Sequence, residues 1–271
     1  MDPAKIRAAA VVLAGLAFAG AVLRPLRVFV GKAATMHRES VETYQPRLVT
    51  AHWLNAAIPG GLRALAADGL WLKVYVAWAA HDLLRTETLI RLVTVVDDRP
   101  THFWINGARI IAYDIADWRL SSPESARMPA EVRRRIVEEQ ACAGLRFLTA
   151  AGDCHPDCAA IWVEMGNIQL YRRRDLVLAA ECYRHAAELP DAPYYAARIY
   201  AELLRRLGRD QDAYAWLCRL HPTLPVTDQA AMSELVLRRI RVLERRLKVP
   251  VQEQYMPFCG IGTASKSAKS D

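Results

Sequence analysis

Residues 158–190 read CAAIWVEMGNIQLYRRRDLVLAAECYRHAAELP, with apolar residues recurring three and four positions apart. That spacing predicts amphipathic helices rather than strands. Small residues lie on both halves of the segment: Gly166 on the first, and Ala179 and Ala186 on the second. Pro190 cannot continue a helix and closes the segment. The pattern therefore predicts one hairpin of two closely packed helices.

Helix-breaking residues on both sides of this segment keep a regular interval. Pro156, Pro190 and Pro222 follow one another at nearly equal distances along the chain. The interval is about 34 residues, the period of stacked hairpins that have two helices per repeat. From residue 62 onward, alternation of β-branched and polar residues is scarce. We therefore predict an all-α fold.

The hairpin segment resembles the tetratricopeptide repeat (TPR) family, whose large and small residues at fixed positions let two helices pack closely. Trp162 and Gly166 hold the large and small positions of the first helix. Ala179, Tyr183 and Ala186 hold the small, large and small positions of the second. The resemblance implies a right-handed α-solenoid of helical hairpins.

The resemblance extends over residues 62–222. In the last unit Gly208 lies in the turn. Ala213 is the first of the small residues expected on the second helix. In the second unit, surplus residues between Ala108 and Ala141 predict a surface insertion around 115–130. The predicted units are 66–100, 101–156, 158–190 and 194–222. More narrowly, LAADGLWL at 65–72 and FWING at 103–107 are similar to segments of membrane-anchored bacterial repeat proteins, most of them uncharacterised.

Residues 1–32 predict a membrane anchor ahead of the repeats. An uncharged, Ala-rich run extends from Ala8 to Leu23, with basic residues on both sides. Such a helix spans about 24 Å, and basic side chains reaching outward extend it toward the roughly 30 Å of a bilayer core. Ala17-Phe18-Ala19 also fits the cleavage site of a secretory signal, and a buried helix is a third interpretation. We expect a single pass through the inner (cytoplasmic) membrane, with the repeats on the extracytoplasmic side.

The remaining segments flank the repeats. Residues 33–61 predict a tether, and residues 260–271 predict a disordered tail. Residues 227–250 predict a C-terminal helix with an apolar stripe and an otherwise basic surface. Such a helix is typical of the cap that closes a repeat array. A helix that binds a lipid surface or a partner is the alternative.

The net charge and the absence of known catalytic motifs exclude several classes of function. The chain has 36 Lys and Arg against 29 Asp and Glu, a net charge of +7. No basic run is interleaved with aromatic residues, so we expect no nucleic-acid binding. The sequence contains no Gly-rich phosphate loop, His-Glu-x-x-His or Gly-x-Ser-x-Gly motif. We therefore predict a protein that is not an enzyme and needs no cofactor.

Cys154, His155 and Cys158 form the local cluster best suited to metal or redox chemistry. Their Cys-x-x-x-Cys spacing differs from the pairs of ligands that structural zinc sites use. A disulfide is one alternative, and a turn in which Asp157 caps the next helix is another. We expect no metal here, and a metal, redox or enzymatic role for the loop is kept as an alternative function.

In the resembled family the first helices of the repeats line a concave groove. Arg and Tyr are frequent anchors in protein interfaces, and Arg binds carboxylates through charged hydrogen bonds. The sequence therefore predicts a membrane-anchored scaffold that binds proteins or peptides, acidic ones among them. Solvated helix faces are the alternative interpretation of these positions, and the oligomeric state is left open. The predicted groove residues are Lys73, His102, Arg109, Asn167, Tyr171, Tyr195, Arg198, Arg205 and Arg206.

Overall fold

The structure is a computed structural model that describes residues 60–225 and 227–257. Every regular element within these ranges is helical, which confirms the predicted all-α class. The predicted anchor at 1–32, the tether up to residue 59 and the tail at 260–271 lie outside the described residues. In the part that is described, no helix combines the length and apolarity needed to cross a membrane. The chain divides into two units, one ending at Phe103 and the other beginning at Trp104.

The first unit contains a hairpin of helices α1 (Gly60–Ala79) and α2 (Leu83–Val96). The Asp82 side chain caps α2 by accepting a hydrogen bond from the backbone N–H of Arg85 at 3.1 Å. Such a cap satisfies one of the free N–H groups of the first turn. The two helices meet through buried apolar residues on facing sides: Leu70, Trp71 and Val74 of α1, and Leu89, Ile90 and Val93 of α2.

A long helical run comes next. Helix α3 (Thr101–Arg109) continues through a π-helical turn (Ile110–Asp114) into α4 (Ile115–Leu120). The short helix α5 (Pro123–Ala126) follows, and then the 25-residue helix α6 (Ala130–Cys154).

Most of the region predicted to be a surface insertion, 115–130, is helical. The surplus residues lengthen both arms of the second hairpin, because apolar side chains such as Ile115 and Ile136 continue the buried stripe. Trp118, in this region, is half-buried.

The third hairpin has helix α7 (Ala159–Ile168), a second π-helical turn (Gln169–Arg173) and helix α8 (Leu176–Glu188). Asp175 caps α8 through the backbone N–H groups of Val177 and Leu178.

The cap at the start of α7 differs from the predicted one. Asp191, 32 residues further along the chain, accepts a hydrogen bond from the N–H of Ala159 at 2.8 Å. Asp157 is exposed and makes no capping bond in the described structure. The cap thus ties the start of one hairpin to the turn that precedes the next.

The fourth hairpin joins α9 (Tyr194–Arg206) to α10 (Asp210–Leu220). Gly208 lies in the turn with φ +76°, a left-handed conformation that glycine adopts at low cost. Trp216 of α10 donates an indole N–H bond to the carbonyl of Ala197 at 3.0 Å and packs edge-on against Tyr200.

The C-terminal helix α11 (Ser233–Leu247) is shorter than the predicted 227–250. Asp228 folds residues 229–231 into a 3₁₀ turn by accepting from the N–H of Ala230, and Met232 then has φ 51°. Helix α11 packs on α10 and buries Val236, Ile240 and Leu243 in a shared core.

The buried carboxylate of Glu244 binds the segment after α11, which contains Tyr255. Glu244 accepts the backbone N–H of Tyr255 at 2.8 Å, the hydroxyl of Tyr214 at 3.3 Å and two bonds from Arg241. Burying a carboxylate is costly unless it is paired and hydrogen-bonded, and here both conditions are met. Helices α10 and α11 and the terminal segment are therefore held at one point.

Close contact at small residues holds the hairpins together. A Cβ atom added at Gly166 would lie 2.9 Å from two ring carbons of Tyr183, and one added at Gly144 would lie 2.9 Å from the Cβ of Ala112. The motif residues Ala179, Ala186 and Ala213 have no exposed surface. Trp162 packs against His185 with ring centroids 4.0 Å apart and the rings tilted by 51°.

Gly166→Ala tests this packing. The added methyl meets a buried ring whose hydroxyl is itself hydrogen-bonded, so we expect the free energy of unfolding to fall by about 1–2 kcal/mol in urea titrations. Gly152→Ala is the matched control, because no atom lies within 4 Å of its added Cβ. Since alanine favours helix over glycine, this control should gain about 0.5 kcal/mol. Equal effects of the two substitutions would contradict close packing at Gly166.

Candidate functional site

A buried carboxylate organises the polar face of the second unit. Glu164 lies on α7 in the mostly apolar stretch AAIWVEMGNI, which also contains Asn167, and is 2% exposed. The hydrogen bonds that it receives from described residues converge on one oxygen, Oε2. Arg109 donates to that oxygen from Nε at 2.9 Å and from Nη2 at 2.7 Å, and Asn167 donates at 3.2 Å.

The hydrogen-bond chain continues into the hairpin core. The hydroxyl of Tyr183 on α8 donates to Oδ1 of Asn167 at 2.5 Å. The same Tyr183 ring packs against Gly166. The amide of Asn167 is thereby oriented to donate toward Glu164, so the close contact of two helices sets the position of the carboxylate.

Arg109 is held in place but remains accessible. Its side chain is 54% exposed although it is paired with a buried acid. The bond to Glu164 stabilises the charged guanidinium and raises the pKa of Arg109. Two of its five N–H donors serve Glu164, which leaves three for another acceptor.

Several tyrosines lie within electrostatic range of this pair. Burial raises the pKa of Tyr113 to about 12, and the negative charge of Glu164 adds to the effect. Burial also raises the pKa of Tyr183, with smaller contributions from Tyr171 and Tyr195, so both lie within electrostatic range. Tyr171 and Tyr195 are themselves exposed.

A second arginine, Arg172, contacts residues of the same face. Arg172 donates from Nη2 to Asp117 at 3.0 Å, and its guanidinium carbon lies 5.1 Å from the centroid of the Tyr113 ring. Its Nε is buried without a hydrogen-bond partner in the described structure. Arg172 therefore joins α4 to the hairpin of α7 and α8.

Two π-helical turns present these side chains. Tyr113 lies in the turn Ile110–Asp114, and Tyr171 and Arg172 lie in Gln169–Arg173. Each π turn widens the helix and rotates the following residues, and such turns are frequent at functional sites. The regular helical spacing used for sequence prediction does not reveal them.

The predicted groove residues separate into three groups. Arg109, Asn167, Tyr171 and Tyr195 belong to the cluster around Glu164. Lys73 and His102 are exposed in the first unit. The last group comprises Arg198, Arg205 and Arg206, which are bound within the chain.

Hydrogen bonds occupy this last group. Arg198 donates to the carbonyls of Ala230 and Ala231, and burial lowers its pKa. Arg205 and Arg206 both bind Glu202 and lower the pKa of its carboxyl to about 2. Glu202 therefore offsets part of the positive charge expected of the groove, while Arg205 and Arg206 themselves remain 42% and 52% exposed.

The loop at 154–158 does not assemble a metal site with other described residues. No group of three or more His, Cys, Asp or Glu in the described ranges could hold a metal ion. No disulfide joins the described cysteines, and burial raises the pKa of Cys182 to about 11, which disfavours its thiolate. Cys154, His155 and Cys158 lie at the end of α6 and in the turn before α7.

No protein-family model matches the chain, and no curated protein is significantly similar to it. Its role therefore has to be inferred from its own residues.

Removing either partner of the Arg109–Glu164 pair should have unequal effects. Arg109→Met leaves a buried carboxylate with Asn167 as its remaining donor, so we expect a loss of about 2–4 kcal/mol of unfolding free energy. Glu164→Gln leaves a half-exposed arginine that water can solvate, and should cost about 1 kcal/mol. Urea denaturation of both variants measures the two losses, and the reverse order would contradict this account.

Burial of Tyr113 should make the free energy of unfolding fall at alkaline pH. Because its pKa is about 12 in the folded chain and near 10 when unfolded, its contribution is complete below pH 10 and is lost as the pH rises toward 12. Between pH 9 and pH 11 the wild type should lose about 1 kcal/mol more than Tyr113→Phe. Urea titrations at the two pH values measure this difference, and equal losses would show that Tyr113 is not responsible.

Proposed function

We propose that the chain is a membrane-anchored, TPR-like α-solenoid that binds peptide segments of partner proteins and organises those partners at the membrane. The observation that carries the proposal is the cluster around Glu164, where a buried carboxylate holds a half-exposed arginine among tyrosines. A surface arginine that served only solubility would not need a buried acid to fix its direction. Exposed Tyr and fixed Arg are side chains that anchor protein interfaces.

The chemistry of the cluster favours a peptide with a carboxylate. The three remaining donors of Arg109 suit a side-chain or terminal carboxylate. Tyr171 and Tyr195 offer exposed rings for neighbouring apolar residues of the peptide. Since Arg198 is bound to backbone carbonyls, and Arg205 and Arg206 share the negative charge of Glu202, a single acidic group is expected rather than a strongly acidic stretch.

The membrane part of the proposal rests on the sequence alone. The anchor is the uncharged run Ala8–Leu23, in a single pass through the inner membrane with the repeats on the extracytoplasmic side. A lipid-surface role for α11 is less well supported, because its basic face is partly occupied. Arg241 binds Glu244, and Arg246 binds Asp210 at 2.8 Å.

Site-directed photocrosslinking in cells tests the binding face. We replace Tyr171 or Tyr195 of the full-length chain with photoreactive benzoylphenylalanine, and expect each to give a defined set of crosslinked proteins. Val177 on α8, also exposed, is the control position and should not give the same adducts.

The second step of this experiment links the adducts to Arg109. Combining the photoreactive residue with Arg109→Lys should remove most of the crosslinked proteins, because lysine cannot make the forked bond to Glu164. Identical adducts at Val177, or adducts that persist in Arg109→Lys, would contradict the proposal.

A further inference from the structure

Helix α1 has two apolar faces, and α2 covers one of them. Ala67, Leu70, Val74 and Ala77 are buried on the side that packs against α2. The opposite side carries Leu65, Leu72 and Val76, which are 68%, 67% and 64% exposed. A helix that is apolar on both faces is normally buried on both.

The exposed residues form a regular seam. Leu65, Gly69, Leu72, Val76 and Ala79 follow one another at intervals of four, three, four and three residues. This is the heptad spacing of a coiled coil, with Leu65, Leu72 and Ala79 at d and Gly69 and Val76 at a. Among parallel coiled coils, leucine at d and a β-branched residue at a favour two helices.

The centre of the seam is open to a second helix. No atom lies within 4 Å of a Cβ placed at Gly69. The absence of a side chain there lets another backbone approach closely. The seam spans about 21 Å, which is long enough for three successive d positions.

The charges beside the seam indicate what occupies it. Asp68 takes position g and Lys73 takes the following position e, and both are exposed without an ion pair in the described structure. In a parallel coiled coil, residue g of one helix faces residue e of the next heptad in its partner. Two copies of α1 in register would therefore pair Asp68 of each with Lys73 of the other.

From this geometry we infer that the chain forms a parallel homodimer through the seam of α1. In an antiparallel pair, g faces g and e faces e, so Asp68 and Lys73 would not face each other and their charge complementarity would be lost. The occupant is a second copy of this chain, and the inference is independent of the peptide-binding proposal.

Charge exchange on the full-length chain in mild detergent tests this inference. Sedimentation velocity over a range of concentrations should show a reversible dimer. Asp68→Lys and Lys73→Asp should each raise its Kd about tenfold, because two attractive pairs become repulsive. The double variant, and an equimolar mixture of the two single variants, should both return to a Kd near that of the wild type.

Two controls keep the outcome clear. Asp157→Lys makes the same charge change on an exposed side chain of the second unit and should leave the Kd unchanged. Circular dichroism should show the same helicity in every variant, since both substituted side chains are exposed.

Three results would overturn the inference. A monomeric wild-type chain would mean that lipid or an earlier segment of the chain covers the seam. A dimer whose Kd is the same in the wild type and in all the charge variants would form through another surface. A double variant that remains as weak as the single variants would exclude the parallel register.

Discussion

The close contact between Gly166 and Tyr183 is the constraint on which the second unit depends. Because glycine has no side chain, the ring of Tyr183 can lie directly against α7. Its hydroxyl then reaches Asn167, Asn167 reaches Glu164, and Glu164 holds Arg109. The close packing within this hairpin thus also fixes the orientation of the Arg109 side chain at the surface.

Buried carboxylates paired with arginine recur along the described chain. Asp97 is bound by Arg99, Glu164 by Arg109 and Glu244 by Arg241. In each pair the acid is almost fully buried while the arginine is partly exposed, so the arginine covers the acid and is itself hydrated. Removing an acid from water is expensive, and these pairs are tolerated because several donors meet each carboxylate. The arginines of these pairs therefore serve internal structure, and we propose that Arg109 serves a partner as well.

The two proposals concern different surfaces of the chain. Peptide binding uses polar side chains that the hairpins of the second unit bring together, whereas dimerisation uses an apolar seam on a single helix of the first unit. The first depends on tertiary structure, since Arg109 and Glu164 are 55 residues apart in sequence. The second needs only a helix, because its spacing is local.

Local pattern was sufficient for much of the fold. Spacing of apolar residues predicted helices throughout the described chain, and Gly166, Ala179 and Ala213 lie in buried positions where helices meet. Two kinds of local detail escaped prediction. Asp191 caps α7 in place of Asp157 across 32 residues, and π turns carry Tyr113 and Tyr171. Neither the long-range cap nor the π turns can be predicted from the regular spacing of apolar residues.

The amino-acid sequence by itself determined the all-α class and the positions where small residues allow close approach, because both follow from side-chain size and a period of about 3.6 residues. Only the tertiary structure decided which partners hold Arg109 and Arg198. The two look alike in the sequence, yet folding pairs Arg109 with Glu164, 55 residues away, and Arg198 with the carbonyls of Ala230 and Ala231. The reason is that the net effect of a charge depends on its neighbours in space, and these come from segments far apart along the chain.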